Sequence, residues 1–292
     1  MTGLVSAFLI VAQGLVPYLQ DTGGGGACNI PDETGTFVAV WLMEEATSAT
    51  RDNEAAASCG SNCDLSNSGS VEQDGTNYKE GTYSAHFTES DSDTLNCNHS
   101  TTCTGLDISP SQSFLAWVRL DNTAENLGFI DTLAASSGFE FIFGGSSSNS
   151  FECKVGDGAD NVTATGSVNQ SATTWYHAAC VMDGSGNSIQ IYTDGGTDGS
   201  AVTQQGVGNI GESIFELAQD DGNLLDGNLD EVAVIDQALS AAEVCHICSC
   251  GVDGSLCTAT GTSPSCSYDD TGRNATDCSS CTLPADPEDP IQ

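Results

Sequence analysis

Fourteen cysteines carry the most chemistry in the spacing of this sequence. They stand at Cys28, Cys59, Cys63, Cys97, Cys103, Cys153, Cys180, Cys245, Cys248, Cys250, Cys257, Cys266, Cys278 and Cys281. Two C-x-x-C pairs, Cys245/Cys248 and Cys278/Cys281, have the local spacing of zinc ligands. The gap between them is longer than a zinc ribbon uses, and three further cysteines lie in it among acids, so disulfides are favoured over a metal. The even count permits full pairing, and so many bridges point to an oxidising, extracellular setting. Cys59/Cys63 and Cys97/Cys103 read as short local loops, and Cys153/Cys180 as a pair between two strands. Seven cysteines precede Cys245 and seven lie from it onward, so full pairing within the chain needs at least one bridge between body and tail.

Other catalytic chemistry has weaker support. His86, His99, His177 and His246 form neither H-x-x-x-H nor H-E-x-x-H, so a catalytic zinc site has no motif. No serine elbow accompanies His177, which reads as a framework residue. Asp230 and Glu231 are adjacent on one strand, where side chains alternate between faces; they read as structural, and no catalytic residue is assigned. Loop acids at Asp91, Asp93, Asp220, Asp221 and Asp226 offer the oxygen ligands that calcium takes, although no EF-hand loop is present. N-x-S/T sequons at Asn98, Asn161, Asn169 and Asn274 are glycosylation candidates; in a chain rich in Asn, Ser and Thr they are also expected by chance.

The elements that position these residues are short strands. Apolar runs split by Gly, Ser, Asn and Asp predict strands at Phe37–Met43, Tyr83–Phe87, Ser113–Leu120, Gly128–Leu133, Phe139–Phe143, Phe151–Val155, Trp175–Met182, Ile189–Thr193 and Leu229–Ile235. Phe139, Phe141 and Phe143 share one face with Glu140 opposite; Ile189, Ile191 and Thr193 share one against Gln190 and Tyr192. Such alternation predicts an antiparallel sandwich or barrel. Asp183-Gly184 and Asp194-Gly195 mark turns. Ser240-Ala241-Ala242-Glu243 is a capping box, opening a helix expected to be brief because the cysteine cluster begins at Cys245.

Composition narrows the partners. Five Lys+Arg stand against 41 Asp+Glu, for a formal net charge of −36. Binding phosphate backbones requires Lys and Arg to displace counterions, so nucleic acid is excluded, and an anionic membrane surface repels the chain likewise. At 38% apolar content a core is affordable and global disorder is not expected. The acids are expected on loops and outward strand positions, so copies that pack together would need salt or cations to screen them.

The N-terminal run from Leu4 to Val16 is too short and punctuated for a membrane span. It has the length of a signal h-region but lacks a preceding Lys or Arg. Three readings stay open: an apolar arm against a partner subunit, a weak signal with a misplaced start codon, and a lipoprotein signal ending at Ala27-Cys28, with Gly25 where a larger aliphatic residue is wanted. Gly23 to Gly26 follow as a hinge. The expected organisation is this segment and hinge over 1–30, a sandwich over 31–247 and a Cys-rich acidic tail over 248–292.

Several blocks resemble the laminin-G-like, concanavalin-A-like jelly rolls. Gly81-Thr82-Tyr83-Ser84-Ala85-His86-Phe87 looks like the family's G-x-A-x-F strand. Ser113-Phe114-Leu115-Ala116-Trp117-Val118-Arg119 resembles F-T-x-x-A-W-V-R, and Trp175-Tyr176-His177-Ala178-Ala179 resembles W-x-H-x-A. Ile191-Tyr192-Thr193-Asp194-Gly195 is similar to I-Y-V-D-G. Gly227-Asn228-Leu229-Asp230-Glu231-Val232 and Ala238-Leu239-Ser240-Ala241-Ala242-Glu243 look like the G-x-I-D-E-V strand and A-L-S-x-x-E helix. The blocks cover residues 36 to 247 in order. The resemblance implies an all-β, two-sheet antiparallel jelly-roll sandwich with a short C-terminal helix, followed by the disulfide-rich tail. It also implies that Asp230 and Glu231 are structural, that calcium at the rim is the one cofactor to expect, and that the E-x-D-x-x-E strand of the family's hydrolases is missing.

This superfold hosts many functions. The first expectation is a non-enzymatic extracellular adhesion module that binds a glycan or a surface protein through rim loops. The alternative is a structural subunit of a virion or extracellular filament, a decoration, fibre or coat protein, with the arm or the tail contacting copies of itself or other subunits.

Overall fold

The computed structural model describes residues 37–55, 59–98, 103, 106, 109–123, 127–132, 136–144, 149–203, 214–220, 222–250, 257–259 and 266–268. Two antiparallel sheets face each other across an apolar core. The larger sheet runs in the order β13 (Gly196–Thr203), β12 (Ser188–Thr193), β11 (Trp175–Asp183), β6 (Gln112–Leu120), β17 (Gly227–Ile235), β4 (Ser84–Phe87) and β3 (Glu72–Asp74), with β1 (Phe37–Trp41) also paired to β17. The smaller runs β10 (Asn161–Thr165), β9 (Phe151–Asp157), β8 (Ser137–Phe143), β7 (Leu127–Asp131), β14 (Ile214–Leu217), β5 (Thr94–Asn98) and β2 (Ser66–Ser68). Two small hairpins complete the described strands: β15 (Gln219–Asp220) with β16 (Asn223–Leu224), and, in the tail, β18 (Cys257–Ala259) with β19 (Cys266–Tyr268).

Alternation along the strands builds the core. Phe114, Ala116, Val118 and Leu120 of β6 face the smaller sheet, where Phe139, Phe141 and Phe143 of β8 meet them. Phe114 stacks on Phe139 with ring centroids 3.8 Å apart, and Trp41 meets Phe215 at 5.5 Å. Each such pair joins one sheet to the other, and burying each ring contributes about 1.5–3 kcal/mol. Disulfides join Cys59 to Cys63, Cys97 to Cys103, and Cys153 on β9 to Cys180 on β11. The last links the two sheets through the core.

The outer face of the larger sheet is half covered. The helix α1 (Ala241–Cys250) lays Val244 and Ile247 over Leu115, Ala179, Val181, Tyr192, Ala233 and Ile235. Its capping box is formed: the Ser240 N–H donates to Glu243 Oε2 at 2.6 Å, and the Glu243 N–H donates to Ser240 Oγ at 3.3 Å. The helix is longer than the sequence reading expects. It runs through Cys245 and Cys248, which are buried and act as apolar residues of its inner face; both are disulfide-bonded.

Two further expectations change. Strict alternation fails at Asp230 and Glu231, where β17 shifts register against β6 and Glu231 adopts φ +46°. Leu229 and Val232 both point into the core, so the two acids between them break the alternation, and both are buried. Nor do the acids simply decorate the surface: Asp93, Asp131, Glu140, Asp198, Asp220 and Glu152 are buried too. Asp198 shows why. Its carboxylate accepts from the Ser167 N–H (2.6 Å), the Ser167 hydroxyl (3.0 Å), the Val168 N–H (3.0 Å) and the Thr193 hydroxyl (2.8 Å), tying a loop to the sheet.

Candidate functional site

One end of the sandwich gathers a hydrogen-bonded cluster of polar side chains. There β6 ends at Leu120, β4 ends at Phe87, β17 begins at Gly227 and β11 begins at Trp175. Gly227 pairs with both Phe87 and Leu120, and Trp175 pairs with Arg119, so these ends lie level. The loops close over them: the Asp121 N–H donates to the Asp226 carbonyl at 2.8 Å, and the Thr173 N–H to the Leu120 carbonyl at 2.6 Å.

Just inside this rim, the strand registers align one outward-facing row. Glu72 pairs with His86, His86 with Asn228, Asn228 with Arg119, and Arg119 with Trp175. Their strand neighbours Val71, Ala85, Phe87, Leu229, Val118 and Leu120 point into the core, so the row points away from it. Side-chain bonds knit it together. His86 Nε2 lies 3.0 Å from Asp121 Oδ2, and its Nδ1 lies 3.9 Å from Glu72 Oε2. Arg119 donates to Asp121 Oδ1 and, at 3.2 Å, to Asn228 Oδ1. Asn228 Nδ2 donates to Asp74 Oδ2 at 3.1 Å and to the Ser84 hydroxyl oxygen at 3.0 Å. Asn228, in the middle of the row, is fully buried; side-chain accessibility is 13% at Arg119, 21% at His86, 33% at Asp121 and 65% at Glu72. Trp175 is half-buried against Trp117 and Cys248, below the end of α1.

Asp74 anchors the row from beneath. Burial raises its pKa, but hydrogen bonds from the Asn77 side chain, the Thr76 and Asn77 N–H groups and Asn228 outweigh that and hold it below the ordinary carboxylate range. A carboxyl whose folded pKa is depressed stabilises the fold above its unfolded pKa, and that contribution disappears as pH falls through the folded value. Asp74→Asn is therefore expected to lower the melting temperature at pH 7 and to narrow its gap from the parent below about pH 4. Melting curves that stay equally spaced down to pH 2 would contradict this assignment.

The next row inward is buried. Asp230 pairs with Trp117, and Trp117 with His177. Lys79 Nζ sits 4.6 Å from the Trp117 ring centroid, and the His177 ring meets that ring edge-on at 5.2 Å. Asp230 Oδ2 accepts the N–H groups of Lys79 (2.7 Å) and Glu80 (3.2 Å), while Oδ1 accepts that of Glu231 (3.0 Å). The His177 N–H donates to Asp194 Oδ1 at 3.0 Å. Buried this way, Asp230 orders backbone and does not meet solvent.

The four described acids among the five expected as calcium ligands do not converge on one another as a group of three. Asp93 spends Oδ1 on the Ser70 N–H (2.5 Å) and Oδ2 on the Thr88 N–H (3.1 Å), closing the turn at Gly69, whose φ is +81°. Asp91 is exposed beside Ser90. Asp226 Oδ2 accepts from Asn122 Nδ2 at 2.7 Å. Asp220 lies in β15, buried against Gly128 of β7, and Asp221 is outside the described residues. Among the described residues, no three His, Cys, Asp or Glu side chains converge as a metal cage.

Of the sequons, Asn98, Asn161 and Asn169 are exposed, and Asn274 is outside the described residues. So are Cys28, Cys278, Cys281, His99 and the segment 1–36. Cys250 ends α1, and Cys257 and Cys266 lie on β18 and β19. The row itself has one sequence signal: each member stands beside a core residue in an alternating strand, as in Ala85-His86-Phe87 and Val118-Arg119-Leu120. The four described Lys and Arg side chains are all engaged: Arg51 with the Ala46 and Ala49 carbonyls, Lys79 on Trp117, Arg119 in the row and Lys154 with Glu140.

A family profile described as the concanavalin A-like lectin/glucanases superfamily (Laminin_G_3) matches residues 69–245. Among solved structures, the binding domain of botulinum neurotoxin DC, in complex with rat synaptotagmin II, has a TM-score of 0.52 at 9% identity, covering 72% of this chain and 50% of that one. The binding domain of Paraclostridial Mosquitocidal Protein 1 has a TM-score of 0.50 at 10% identity, covering 69% and 51%. Domain 4 of AbnA, a GH43 extracellular arabinanase from Geobacillus stearothermophilus in complex with arabinotriose, has a TM-score of 0.49 at 13% identity, covering 72% and 96%. The chain thus spans about half the length of the toxin domains. At these identities the likeness is one of fold. No curated protein sequence matches the chain.

Proposed function

Because the chain belongs to the concanavalin A-like lectin/glucanase superfamily, we propose that it is a non-enzymatic, extracellular binding module that takes a glycan or surface protein at its polar rim. The observation that carries this reading is the outward row from Glu72 to Trp175. It combines a half-buried aromatic ring with side chains already fixed by hydrogen bonds, the composition of sites that select ligands by a few placed polar groups. Preorganisation of this kind lowers the ordering cost of binding.

A non-enzymatic reading is supported by the burial of Asp230 and Glu231, the acid pair on a core strand. A glycosidase needs two carboxyls reaching opposite sides of one sugar bond. Secretion is supported by the disulfides; in addition, no helix of the described residues is long and apolar enough to cross a membrane. Calcium acts, in this proposal, as a counter-ion to a −36 chain and not as an ion coordinated by Asp93. Asp93 has both carboxylate oxygens committed to backbone N–H groups.

The test is a glycan and cell-surface-protein array probed with and without a calcium chelator, followed by chromatography of any bound oligosaccharide. Retention of an intact ligand, insensitive to the chelator at physiological salt, is expected. Shortened sugar products would overturn the non-enzymatic assignment, and binding lost to the chelator alone would overturn that of calcium. A blank array would sink the binding module.

A further inference from the structure

Two of the sequons stand where an attached sugar has something to cover. We infer that Asn169 and Asn98 carry N-linked oligosaccharides, whose first sugars lie over Val168 and Ile214. This depends on secretion, one part of the reading above, and not on what the rim binds.

The observation that carries it concerns exposed apolar side chains. Among the described residues only two large ones are exposed, Val168 at 41% and Ile214 at 36%. A single exposed residue of this kind needs no explanation. Here both stand beside the asparagine of an N-x-S sequon. Val168 precedes Asn169 in the chain, and Ile214 lies directly across from Asn98 in the pair of β14 with β5. Side chains directly opposite each other in an antiparallel pair share a face, with Cβ atoms about 5 Å apart. Leu95 and Cys97 of β5 and Phe215 and Leu217 of β14 fill the core, so Asn98 and Ile214 point away from it.

The loop at Asn169 is fixed on both sides of the sequon. Asp198 Oδ1 accepts the Ser167 and Val168 N–H groups at 2.6 and 3.0 Å. The Gln170 N–H donates to the Asn149 carbonyl at 2.8 Å, and the Ser171 N–H to the Tyr176 hydroxyl oxygen at 2.9 Å. Gln170 is buried, while Asn169 and Ser171 are exposed. The carboxamide and the hydroxyl that define the sequon therefore both face solvent. Asn161 is exposed as well, but it lies across from Gly156 of β9 and has no exposed large apolar side chain beside it.

The chemistry is transfer of an oligosaccharide from a polyprenyl pyrophosphate carrier. The asparagine Nδ2 forms a bond to C1 of the first sugar and gives up one amide proton to the transferase. The bond from C1 to the carrier oxygen breaks, and the pyrophosphate leaves with its electron pair. An N-acetylhexosamine placed there has an apolar C–H face, which takes the methyl groups of Val168 or Ile214 out of water. Its hydroxyls face outward and keep the surface wetted.

The experiment is peptide mapping of the whole chain recovered from its native source. N-glycans are released enzymatically in heavy-oxygen water, which marks each formerly modified asparagine as a labelled aspartate. Labelled aspartate is expected at Asn169 and Asn98. An unlabelled residue would overturn the assignment at that position, and label at Asn161 alone would overturn the inference. The cover is tested separately, on the folded chain from a glycosylating host, by hydrophobic-interaction chromatography. Deglycosylation is expected to lengthen retention of the parent, and to do so by at most half as much in Val168→Ser/Ile214→Ser. Both side chains are exposed, so this double variant spares the core. Equal shifts in parent and variant would overturn the covering role. A ligand found on the array, with neither asparagine labelled, would overturn this inference and leave the binding module standing.

Discussion

Asp230→Ala is expected to cost about 3–5 kcal/mol of stability, among the largest effects of any single substitution in this protein. The carboxylate is fully buried and accepts three backbone N–H groups, from Lys79, Glu80 and Glu231. Alanine leaves those donors without their acceptor, at about 1–3 kcal/mol for each buried one. It also withdraws a negative charge from beneath Lys79, whose Nζ is held over Trp117. Asp230→Asn keeps one acceptor oxygen in place and is expected to cost roughly half as much. Denaturant unfolding measures both, with the midpoint moving and the slope unchanged. A residue at a reaction centre behaves differently: its loss leaves stability intact and removes activity. A loss below about 1 kcal/mol for the alanine variant would therefore reopen the case for a functional Asp230.

The same residue shows where the sequence stops being informative. Nine apolar strands were legible as short apolar runs between turn residues, several of them alternating between core and outer face, as Phe139, Phe141 and Phe143 do. The polar strands β2, β3 and β10 were not. Ser-Asn-Ser and Glu-Gln-Asp have no apolar face to read, and all three take their conformation from one neighbour at a sheet edge. β13 is likewise an edge strand, rich in Gly and Thr. β5 and β14, with five and four residues, are too short for their alternation to stand out. The bulge at Asp230 was invisible for another reason. Two of the N–H groups that make burying this acid favourable come from the loop 79–80, about 150 positions earlier in the chain.

The rim follows the same logic. The acidic loops drew attention as metal ligands because oxygen-rich loops are what calcium uses. In the fold, both carboxylate oxygens of Asp93 are already used by backbone N–H groups. What matters at the rim is the alignment of His86, Asn228, Arg119 and Trp175, which sit on four strands separated by long stretches of sequence. Each is an outward residue between inward ones, a position that by itself predicts only a solvated side chain. Register alone brings four such residues into one row, with Asn228 buried between its neighbours, and register between distant strands is not written in any local window.

Removing the bridge between the sheets is the other change with a large expected effect. The double variant Cys153→Ala/Cys180→Ala is expected to lose about 3–4 kcal/mol. The bond closes a loop with a sequence separation of 27, and constraining a loop of that length in the unfolded chain is worth roughly 3.5 kcal/mol. Both sulfurs are fully buried, so alanine also leaves a small void in the core. At about 2–4 °C per kcal/mol, the melting temperature is expected to fall by roughly ten degrees. The bridges Cys59–Cys63 and Cys97–Cys103 close loops with separations of only 4 and 6. Each constrains the unfolded chain less, and opening either is expected to cost less than opening Cys153–Cys180. Calorimetric melts of the three double-alanine variants give the ranking. If either short-loop variant melts below the Cys153/Cys180 variant, loop closure is not what these bonds contribute. Their value would then lie in the local conformations they hold, at Cys59–Cys63 beside Trp41, whose indole N–H donates to the Cys63 carbonyl at 2.9 Å.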